Sequence, residues 1–267
     1  MREQIKGTFL QPPKEVILLT AIEAVNLTKK YKSKTAVAGL NLKVEQGELF
    51  ALLGVNGAGK TTTIRMLSCL SKPTEGECSV CGFSCTEEAD KVKKTVAISP
   101  QDTAVAENLT VTENLKLICG IYGFSAEKTQ SRIKEMVSLF KISEVANSRA
   151  KTLSGGWKRK LSIAMALICE PKVLFLDEPT LGLDVLARRE LWGVVEKLKG
   201  NITIVLTTHY MEEAEQLSDR IGIMIDGSLA ALGELSELEA QSGEKGLENV
   251  FVKIAGDFGK GELSWEE

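Results

Sequence analysis

Residues 54–61 form a glycine-rich segment that constrains the fold more than any other part of the chain. They read G-V-N-G-A-G-K-T and match the phosphate-binding pattern G-x-x-x-x-G-K-[ST] at every fixed position. Such a loop needs a strand before it and a helix after it, because the helix N-terminus and free backbone N–H groups together hold an anion. Residues 49–53 are apolar like a buried strand, and Ile64, Leu67 and Leu70 recur at helical spacing. This context favours a nucleoside triphosphate site over a glycine turn that matches by chance.

Each residue of this loop has an expected role in nucleotide binding. Lys60 would reach the outer phosphates, and the Thr61 hydroxyl would ligate Mg²⁺. Glycines let the main chain approach a ligand closely, so backbone N–H groups would supply most of the contacts. The residues expected to hold the nucleotide here are Gly54, Val55, Asn56, Gly57, Ala58, Gly59, Lys60, Thr61 and Thr62.

The bulk composition narrows the class of protein. The chain has 267 residues, of which 43% are hydrophobic, and its net charge is −3. It can therefore bury a core as one large domain or two small ones, and it has no basic excess that would favour nucleic acid. No apolar run reaches the ~18 residues of a membrane span, and the N-terminus lacks the apolar core of a secretory signal. We expect a soluble cytoplasmic protein that can dock on a membrane protein.

The six cysteines are expected to be reduced thiols, because no secretory signal precedes them. Cys78, Cys81 and Cys85 form one cluster, which could be a metal site or a strand followed by a turn. A closed zinc site needs four ligands, and no second Cys or His pair lies nearby in the sequence. The strand and turn is therefore the favoured interpretation.

Hydrophobic periodicity predicts an α/β core with a helical insertion. Residues 1–20 include Pro12 and Pro13 and show no clear period, which predicts an irregular lead-in. Residues 102–168 are predicted to be a helical block inside a series of strands, and residues 237–267 are a tail of uncertain role. The predicted strands are 20–26, 40–44, 49–53, 173–176 and 202–206. The predicted helices are one from residue 62 and others at 113–122, 127–140, 156–168 and 187–198.

Two acidic residues follow the apolar strand 173–176. In an open parallel sheet, ligands gather at the carboxyl ends of the strands. Asp177 is therefore placed to hold Mg²⁺ through water, and Glu178 to polarise an attacking water. A pair of solvated loop acids is the alternative, and the phosphate loop earlier in the chain argues against it.

The only histidine, His209, follows the strand 202–206 at its carboxyl end. The parallel sheet would place it beside the acids of the neighbouring strand, where it could donate to a γ-phosphate. Leu153-Ser154-Gly155-Gly156 precedes a predicted helix, with Ser154 suited to the N-cap and glycines that allow close approach to a ligand. A plain helix start is the alternative for this segment.

Together these segments resemble the nucleotide-binding subunit of an ABC transporter, from about Ala21 to Leu235. Residues 54–61 resemble the Walker A loop, and residues 173–178 resemble Walker B with its catalytic glutamate. Residues 153–156 resemble the family signature, which no other large ATPase family carries at this place. The resemblance implies a P-loop core with a parallel sheet flanked by helices, an antiparallel β part near the N-terminus and an inserted helical subdomain, with the ABC ATPase domain spanning residues 21–236.

The same resemblance implies further site residues. Gln101, in S-P-Q-D, resembles the glutamine that senses Mg²⁺ and contacts the membrane subunit. Asp184 resembles the D-loop aspartate, and His209 the switch histidine. Tyr31 resembles the aromatic residue that stacks on adenine, a contact that tolerates sequence change and adds about 1–3 kcal/mol by analogy with base stacking; a single exposed tyrosine is the alternative.

The chain departs from the family pattern at two places. Trp157 stands where the signature usually continues with glutamine, which bears on the hydrolysis rate and not on the fold. The D-loop reads L-G-L-D where S-A-L-D is commoner. The G-L-D wording and the segment L-E-N-V-F near the C-terminus resemble a branch of drug, antibiotic or polymer exporters.

The resemblance implies an ATPase that couples Mg-ATP binding and hydrolysis to transport, with catalytic roles for Lys60, Glu178 and His209. Two copies, or one copy and a homologous subunit, would pair head to tail and bury ATP between Walker A of one and residues 154–156 of the other. A membrane-spanning subunit would be the other partner, holding the protein at the cytoplasmic face. A soluble ABC ATPase acting on ribosomes or DNA, and a nucleotide switch without turnover, remain as alternatives.

Overall fold

The computed structural model describes residues 19–260. Most of the predicted lead-in, residues 1–18, and the last residues of the predicted tail, 261–267, lie outside this range. The described strands are β1 (Thr20–Tyr31), β2 (Lys34–Glu45), β3 (Leu49–Leu53), β4 (Glu75–Val80), β5 (Phe83–Ser84), β6 (Val96–Ser99), β7 (Val173–Asp177), β8 (Thr203–Thr208), β9 (Arg220–Ile225) and β10 (Ser228–Gly233). The described α-helices are α1 (Lys60–Leu67), α2 (Ala89–Thr95), α3 (Val111–Ile121), α4 (Ala126–Leu139), α5 (Gly155–Leu167), α6 (Val185–Leu198), α7 (Met211–Leu217), α8 (Leu235–Ser242) and α9 (Leu247–Lys260).

The larger sheet is mostly parallel, and its strand order brings the predicted chemical segments together. The order is β10-β9-β3-β8-β7-β6, with only β10 antiparallel to its neighbour. Every residue of β3, β7 and β8 is buried. Helices cover one face of the sheet, and α1 together with strands β1 and β2 covers the other. The central strand of these three, β8, pairs Leu53 with Thr208 on one side and Asp177 with Thr207 on the other. The three carboxyl ends therefore lie level at one edge.

The smaller sheet is antiparallel, as predicted for the N-terminal part, with the order β2-β1-β4-β5. Its first two strands are longer than the alternating segments 20–26 and 40–44. The pairing of β1 with β2 shifts register between Ala24 and Leu27 and again between Leu27 and Lys29. Each such irregularity breaks the period-2 alternation, which is why the pattern indicated shorter strands.

The helical block contains α3, α4 and α5, within two residues of their predicted bounds. Thr110 and Glu113 form a reciprocal capping box at the start of α3, and the Ser125 side chain caps α4. Leu115, Met136 and the face of α5 that includes Leu161 are buried in one cluster. This block packs on the sheet through α5, which contacts β6 and β7.

The segment after residue 236 packs against the sheet. Leu247, Val250, Phe251 and Ile254 of α9 share a buried cluster with residues of β3 and β9. Their spacing of i, i+3, i+4 and i+7 is that of one helical face. Among residues 19–260, none of the helices combines the length and the apolarity needed to cross a bilayer.

Candidate functional site

The phosphate-loop segment joins β3 to α1, as the motif requires. Gly59 has φ of +105°, and a Cβ atom there would lie 2.4 Å from the Ala36 carbonyl oxygen, so only glycine fits. Gly57 also has a left-handed backbone, with φ of +87°. The loop therefore closes tightly and leads directly into the first turn of α1, where N–H groups are free to bind an anion.

Lys60 starts α1 and folds back over its own loop. Its Nζ donates to the carbonyl oxygen of Gly54 at 2.6 Å and to that of Val55 at 3.2 Å. The same Nζ lies 3.1 Å from Glu178 Oε1, and both side chains are 5% exposed. A buried ammonium is thus held between main-chain oxygens and a carboxylate, at the mouth of the loop.

Glu178 stands immediately after β7 and faces His209, which stands immediately after β8. The Glu178 Oε2 atom is 2.7 Å from His209 Nδ1. Glu178 has φ of +48°, a left-handed conformation that costs a non-glycine residue about 1–3 kcal/mol and clusters at functional sites. The backbone N–H of Glu178 donates to Thr207, which holds this conformation in place. The predicted proximity of His209 to the acids is present in the structure.

Asp177 lies beside the loop threonine. Its Oδ1 atom accepts hydrogen bonds from the hydroxyl of Thr61 at 3.0 Å and from that of Thr207 at 2.6 Å. Oxygen donors from one carboxylate and one hydroxyl fit Mg²⁺, which binds proteins through one or two carboxylates and completes its shell with water and phosphate. Within residues 19–260, no cluster of three or more His, Cys, Asp or Glu side chains has the arrangement of a metal site.

A cavity of about 500 Å³ brings most of the predicted site residues together. Tyr31, which is 46% exposed, and the Glu178–His209 pair all line it. The predicted residues that line it are Tyr31, Asn56, Gly57, Ala58, Gly59, Lys60, Thr61, Thr62, Gln101, Glu178 and His209. Three predicted residues are not part of this lining but are hydrogen-bonded to it. Lys60 donates to the carbonyl oxygens of Gly54 and Val55, and Thr61 donates to Asp177.

The signature and D-loop residues lie outside this cavity. Ser154 and Gly155 are exposed at the start of α5, and Ser154 is its N-cap residue but makes no capping hydrogen bond with its side chain. A Cβ atom added to Gly156 would lie 3.5 Å from the Cβ atom of Ala187, an ordinary van der Waals contact. Asp184 is the N-cap of α6, where its carboxylate accepts from the N–H groups of Leu186 and Ala187. This structural role of Asp184 was not predicted.

Sequence reasoning missed several residues of this region. Lys34, Ala36 and Leu181 also line the cavity, and the Thr207 hydroxyl supports Asp177. Thr207 lies in an apolar strand and carries no motif, so only the register of β7 with β8 identifies its role. Lys34 lies three residues after Tyr31, and its nearness to that candidate residue is the one signal in the sequence.

The site defines a P-loop nucleoside triphosphatase. Strand β3 leads into a glycine loop that ends in Lys60 and Thr61, and β7 ends at Asp177 with Glu178 after it. The predicted α/β fold with an antiparallel part and a helical insertion is confirmed. Comparison with known proteins narrows the class. The family profile described as ABC transporter matches residues 37–181.

Two curated proteins illustrate the similarity. The daunorubicin/doxorubicin resistance ATP-binding protein DrrA of Streptomyces peucetius is 41% identical over 224 residues, which are 84% of this chain and 68% of that protein. The human phospholipid-transporting ATPase ABCA3 is 40% identical over 230 residues, 85% of this chain. This chain spans 14% of the length of that relative.

Solved structures agree with the sequence relatives. An ATP-binding subunit of an ABC transporter superimposes with a TM-score of 0.80 at 30% identity, covering 88% of this chain and 99% of the other. A dimeric ATP-binding cassette in a post-hydrolysis state, bound to ADP and Pi, gives a TM-score of 0.73 at 28% identity, covering 80% and 98%.

The chain belongs to the ABC transporter family, and the region it shares with its relatives is the family's ATP-binding ATPase domain. This confirms the resemblance drawn from Walker A, Walker B and the signature.

Proposed function

We propose that this protein is the ATP-hydrolysing subunit of a membrane exporter and that it acts as a head-to-tail dimer. The observation that carries this proposal is the position of Glu178, whose carboxylate bridges Lys60 and His209 beside the phosphate loop. A nucleotide switch without turnover has no need for a carboxylate held at this place. The exporter role draws on the relatives, since DrrA is named for drug resistance and ABCA3 for phospholipid transport.

ATP would lie in the cavity with its adenine against Tyr31 and its phosphates in the loop 54–61. Glu178 would orient water for in-line attack on the γ-phosphate, and the protein would contribute positioning and charge rather than covalent chemistry. Lys60 would spread the developing negative charge, and His209 would steady the γ-phosphate. Mg²⁺, held by Thr61, Asp177 and Gln101, would neutralise charge on the β- and γ-oxygens.

A second ATPase subunit would complete the site. Ser154 and Gly155 are exposed and lie outside their own chain's cavity, so they can serve only the nucleotide of a partner. Exposed apolar side chains in the phosphate loop and just after Asp184 would also be buried by such a pairing. Val55 is 54% exposed, Val185 63% and Leu186 75%. The dimeric cassette bound to ADP and Pi provides a relative with this assembly state.

A groove beside residues 99–102, the glutamine loop, would receive the membrane-spanning subunit. This groove of about 300 Å³ lies between β6, α3 and α5, and Pro100, next to Gln101, forms part of its wall. Its rim carries large exposed apolar side chains, with Leu70 61% exposed and Tyr122 44%, and Ile121 is 69% exposed close by on α3. An amphipathic helix from a cytoplasmic loop of the membrane subunit fits this surface, which would hold the protein at the cytoplasmic face.

The experiment is to co-express the protein with a candidate membrane-spanning subunit, chosen from the hydrophobic proteins encoded near its gene, and to purify the two together in nanodiscs. We expect co-purification and an ATPase rate that Lys60→Ala abolishes, because the variant lacks the ammonium on the outer phosphates. ATPase stimulated by ribosomes or by DNA, in the absence of any membrane partner, would instead support a soluble ATPase of the same family. Unchanged ATP binding and turnover in Lys60→Ala would contradict the site assignment itself.

A further inference from the structure

Arg159 of α5 is a buried arginine that contacts the main chain of the glutamine loop. It is 4% exposed, one turn beyond the signature residues that start the helix. Its Nη1 donates to the Pro100 carbonyl oxygen at 2.7 Å, and its Nη2 donates to the Gln101 carbonyl oxygen at 2.5 Å. One guanidinium therefore binds both residues of the turn that presents the Gln101 side chain to the cavity.

A second contact ties the same two elements together. The hydroxyl of Ser162, one turn further along α5, lies 3.0 Å from that of Ser99 at the end of β6. Both hydroxyls are buried. Segment 99–101 is thus attached to α5 at two consecutive turns, so a displacement of the glutamine loop and a displacement of α5 are mechanically linked.

The burial of Arg159 is costly, which argues that the contact is specific. Within residues 19–260 the guanidinium has no carboxylate in ion-pair range, and its two hydrogen bonds go to neutral carbonyl oxygens. Burial lowers the pKa of Arg159, and the more distant carboxylates of Asp102, Asp177 and Glu213 act in the opposite direction. An apolar side chain of similar size would fill the space without the desolvation cost.

We propose that Arg159 is a positioning residue that couples Gln101, in the nucleotide cavity of its own subunit, to Ser154, which serves the nucleotide of the partner subunit. This inference rests on the proposed function, because it requires both Gln101 and Ser154 to act on ATP. When Gln101 engages Mg²⁺ or the γ-phosphate, its carbonyl moves with it, and the guanidinium transmits that movement to the first turn of α5. Nucleotide in one site thereby aligns the signature serine for the other.

The planar fork of arginine is needed for this contact. Two N–H groups in fixed geometry bind two successive carbonyl oxygens, whereas a lysine ammonium is a point charge on a flexible stem and fixes neither. Arg159→Lys therefore keeps the charge and most of the volume but loses the paired geometry. Lys158→Met is the matched control, because Lys158 is the adjacent cation of the same helix and pairs with exposed Glu107.

The test is steady-state ATPase of the assembled transporter. We expect Arg159→Lys to lower kcat about tenfold, the rate equivalent of one hydrogen bond to a charged group. The KM for ATP should change less than twofold, because Arg159 does not touch the nucleotide. Lys158→Met should stay close to wild type. A thermal melting temperature near that of wild type would show that Arg159→Lys is folded.

A double-mutant cycle with Gln101→Ala separates coupling from a structural role. If Arg159 acts through Gln101, the double variant should be no slower than Gln101→Ala alone, since coupled residues are not additive. If the fold-losses in kcat of the two single variants multiply in the double variant, Arg159 acts independently of Gln101. That result would overturn the inference while leaving the proposed function intact. Normal turnover in Gln101→Ala alone would instead remove the role proposed for the glutamine loop, and the inference with it.

Discussion

Glu178 Oε2 lies 2.7 Å from His209 Nδ1, so the only histidine of the chain points its δ nitrogen at the proposed catalytic carboxylate. Because a carboxylate oxygen accepts, Nδ1 carries the proton and donates it. The Nε2 atom is then an acceptor in the neutral ring and a donor only in the imidazolium form. His209 can therefore orient Glu178 in either state, but it can donate to a γ-phosphate only when it is charged.

Glu178→Gln should bind ATP and fail to hydrolyse it. The amide keeps the shape of the carboxylate but loses the negative charge that orients water and repels the phosphates. It also releases Lys60 from its ion pair, so ATP affinity should rise. We expect kcat to fall at least about a hundredfold, a typical contribution of a positioned general base.

The measurement is single-turnover hydrolysis together with gel filtration in the presence of ATP, where the variant should elute as a dimer that wild type does not sustain. His209→Ala should reduce turnover without this trapped dimer, because Glu178 then remains charged but loses its orientation. Normal hydrolysis by Glu178→Gln would place the catalytic base elsewhere.

The sequence predicts the chemical part of the site well because local motifs determine it. The loop 54–61, the acids after β7 and the histidine after β8 each depend on a strand followed by a few residues, and parallel neighbours bring strand ends to one edge. The prediction is weaker where tertiary contacts decide. The tail residues Val250, Phe251 and Ile254 form one helical face with Leu247. The sequence predicts no element for them, because a short tail segment gives no sign of what it will pack against.

Buried polar contacts are the other part that sequence reasoning missed. Arg159 lies in the predicted helix 156–168, and Glu213 lies in a segment for which the sequence pattern predicts no element. Charged residues in either place are expected to face solvent. Both are buried because the sheet and the neighbouring helices close over them. Only the packing of α5 and α7 reveals that these two side chains lie inside the protein.

Tyr31→Ala should weaken ATP binding, while Tyr31→Trp should preserve it. Tyr31 lines the cavity and is 46% exposed, and stacking on adenine requires only an aromatic face. We expect the Kd for ATP to rise about tenfold in the alanine variant, within the range of one base–aromatic contact. Isothermal titration with ATP measures this, and a competition with inorganic triphosphate should show no difference between the variants. Equal losses in alanine and tryptophan variants would assign the contact to the hydroxyl.

Glu213→Gln should stabilise the fold, and more so at high pH. Glu213 is fully buried, Trp192 Nε1 donates to its Oε1 at 3.1 Å, and its Oε2 has no hydrogen-bond partner within residues 19–260. Burial, aided by the nearby charge of Glu178, raises the pKa of Glu213. The folded state therefore holds this proton more tightly than the unfolded state, and stability from this group is lost as pH rises through the folded pKa.

A glutamine at position 213 has no charge to bury, so its advantage over wild type should be small at pH 5 and larger at pH 8. Thermal unfolding at both pH values measures the difference. Glu215→Gln is the control, because Glu215 is exposed on the same helix, and it should shift the melting temperature little at either pH. A gain that is equal at both pH values would mean that Glu213 binds the same number of protons in the folded and unfolded states over this range, so that its pKa would not be raised by folding.

Trp157→Gln should change turnover only a few-fold, whereas Ser154→Arg should nearly abolish it. Trp157 is partly buried against the core cluster of the helical block, and Lys160 Nζ lies 4.6 Å from its ring centroid. The indole therefore packs within its own chain. Its loss should lower the melting temperature clearly, while kcat changes only a few-fold. Ser154 is exposed at the helix N-cap, where a partner's γ-phosphate would meet its hydroxyl and the following N–H groups. An arginine there would block the approach of the second subunit by its bulk.

Steady-state ATPase of both variants, with the membrane partner present, decides between these expectations. Ser154→Ala is the control for bulk, since it removes the hydroxyl alone and should retain a measurable rate. If Trp157→Gln abolished turnover while Ser154→Arg left it intact, residues 154–156 would not serve a partner's nucleotide. The head-to-tail pairing would then be wrong, and the exposed start of α5 would need another role.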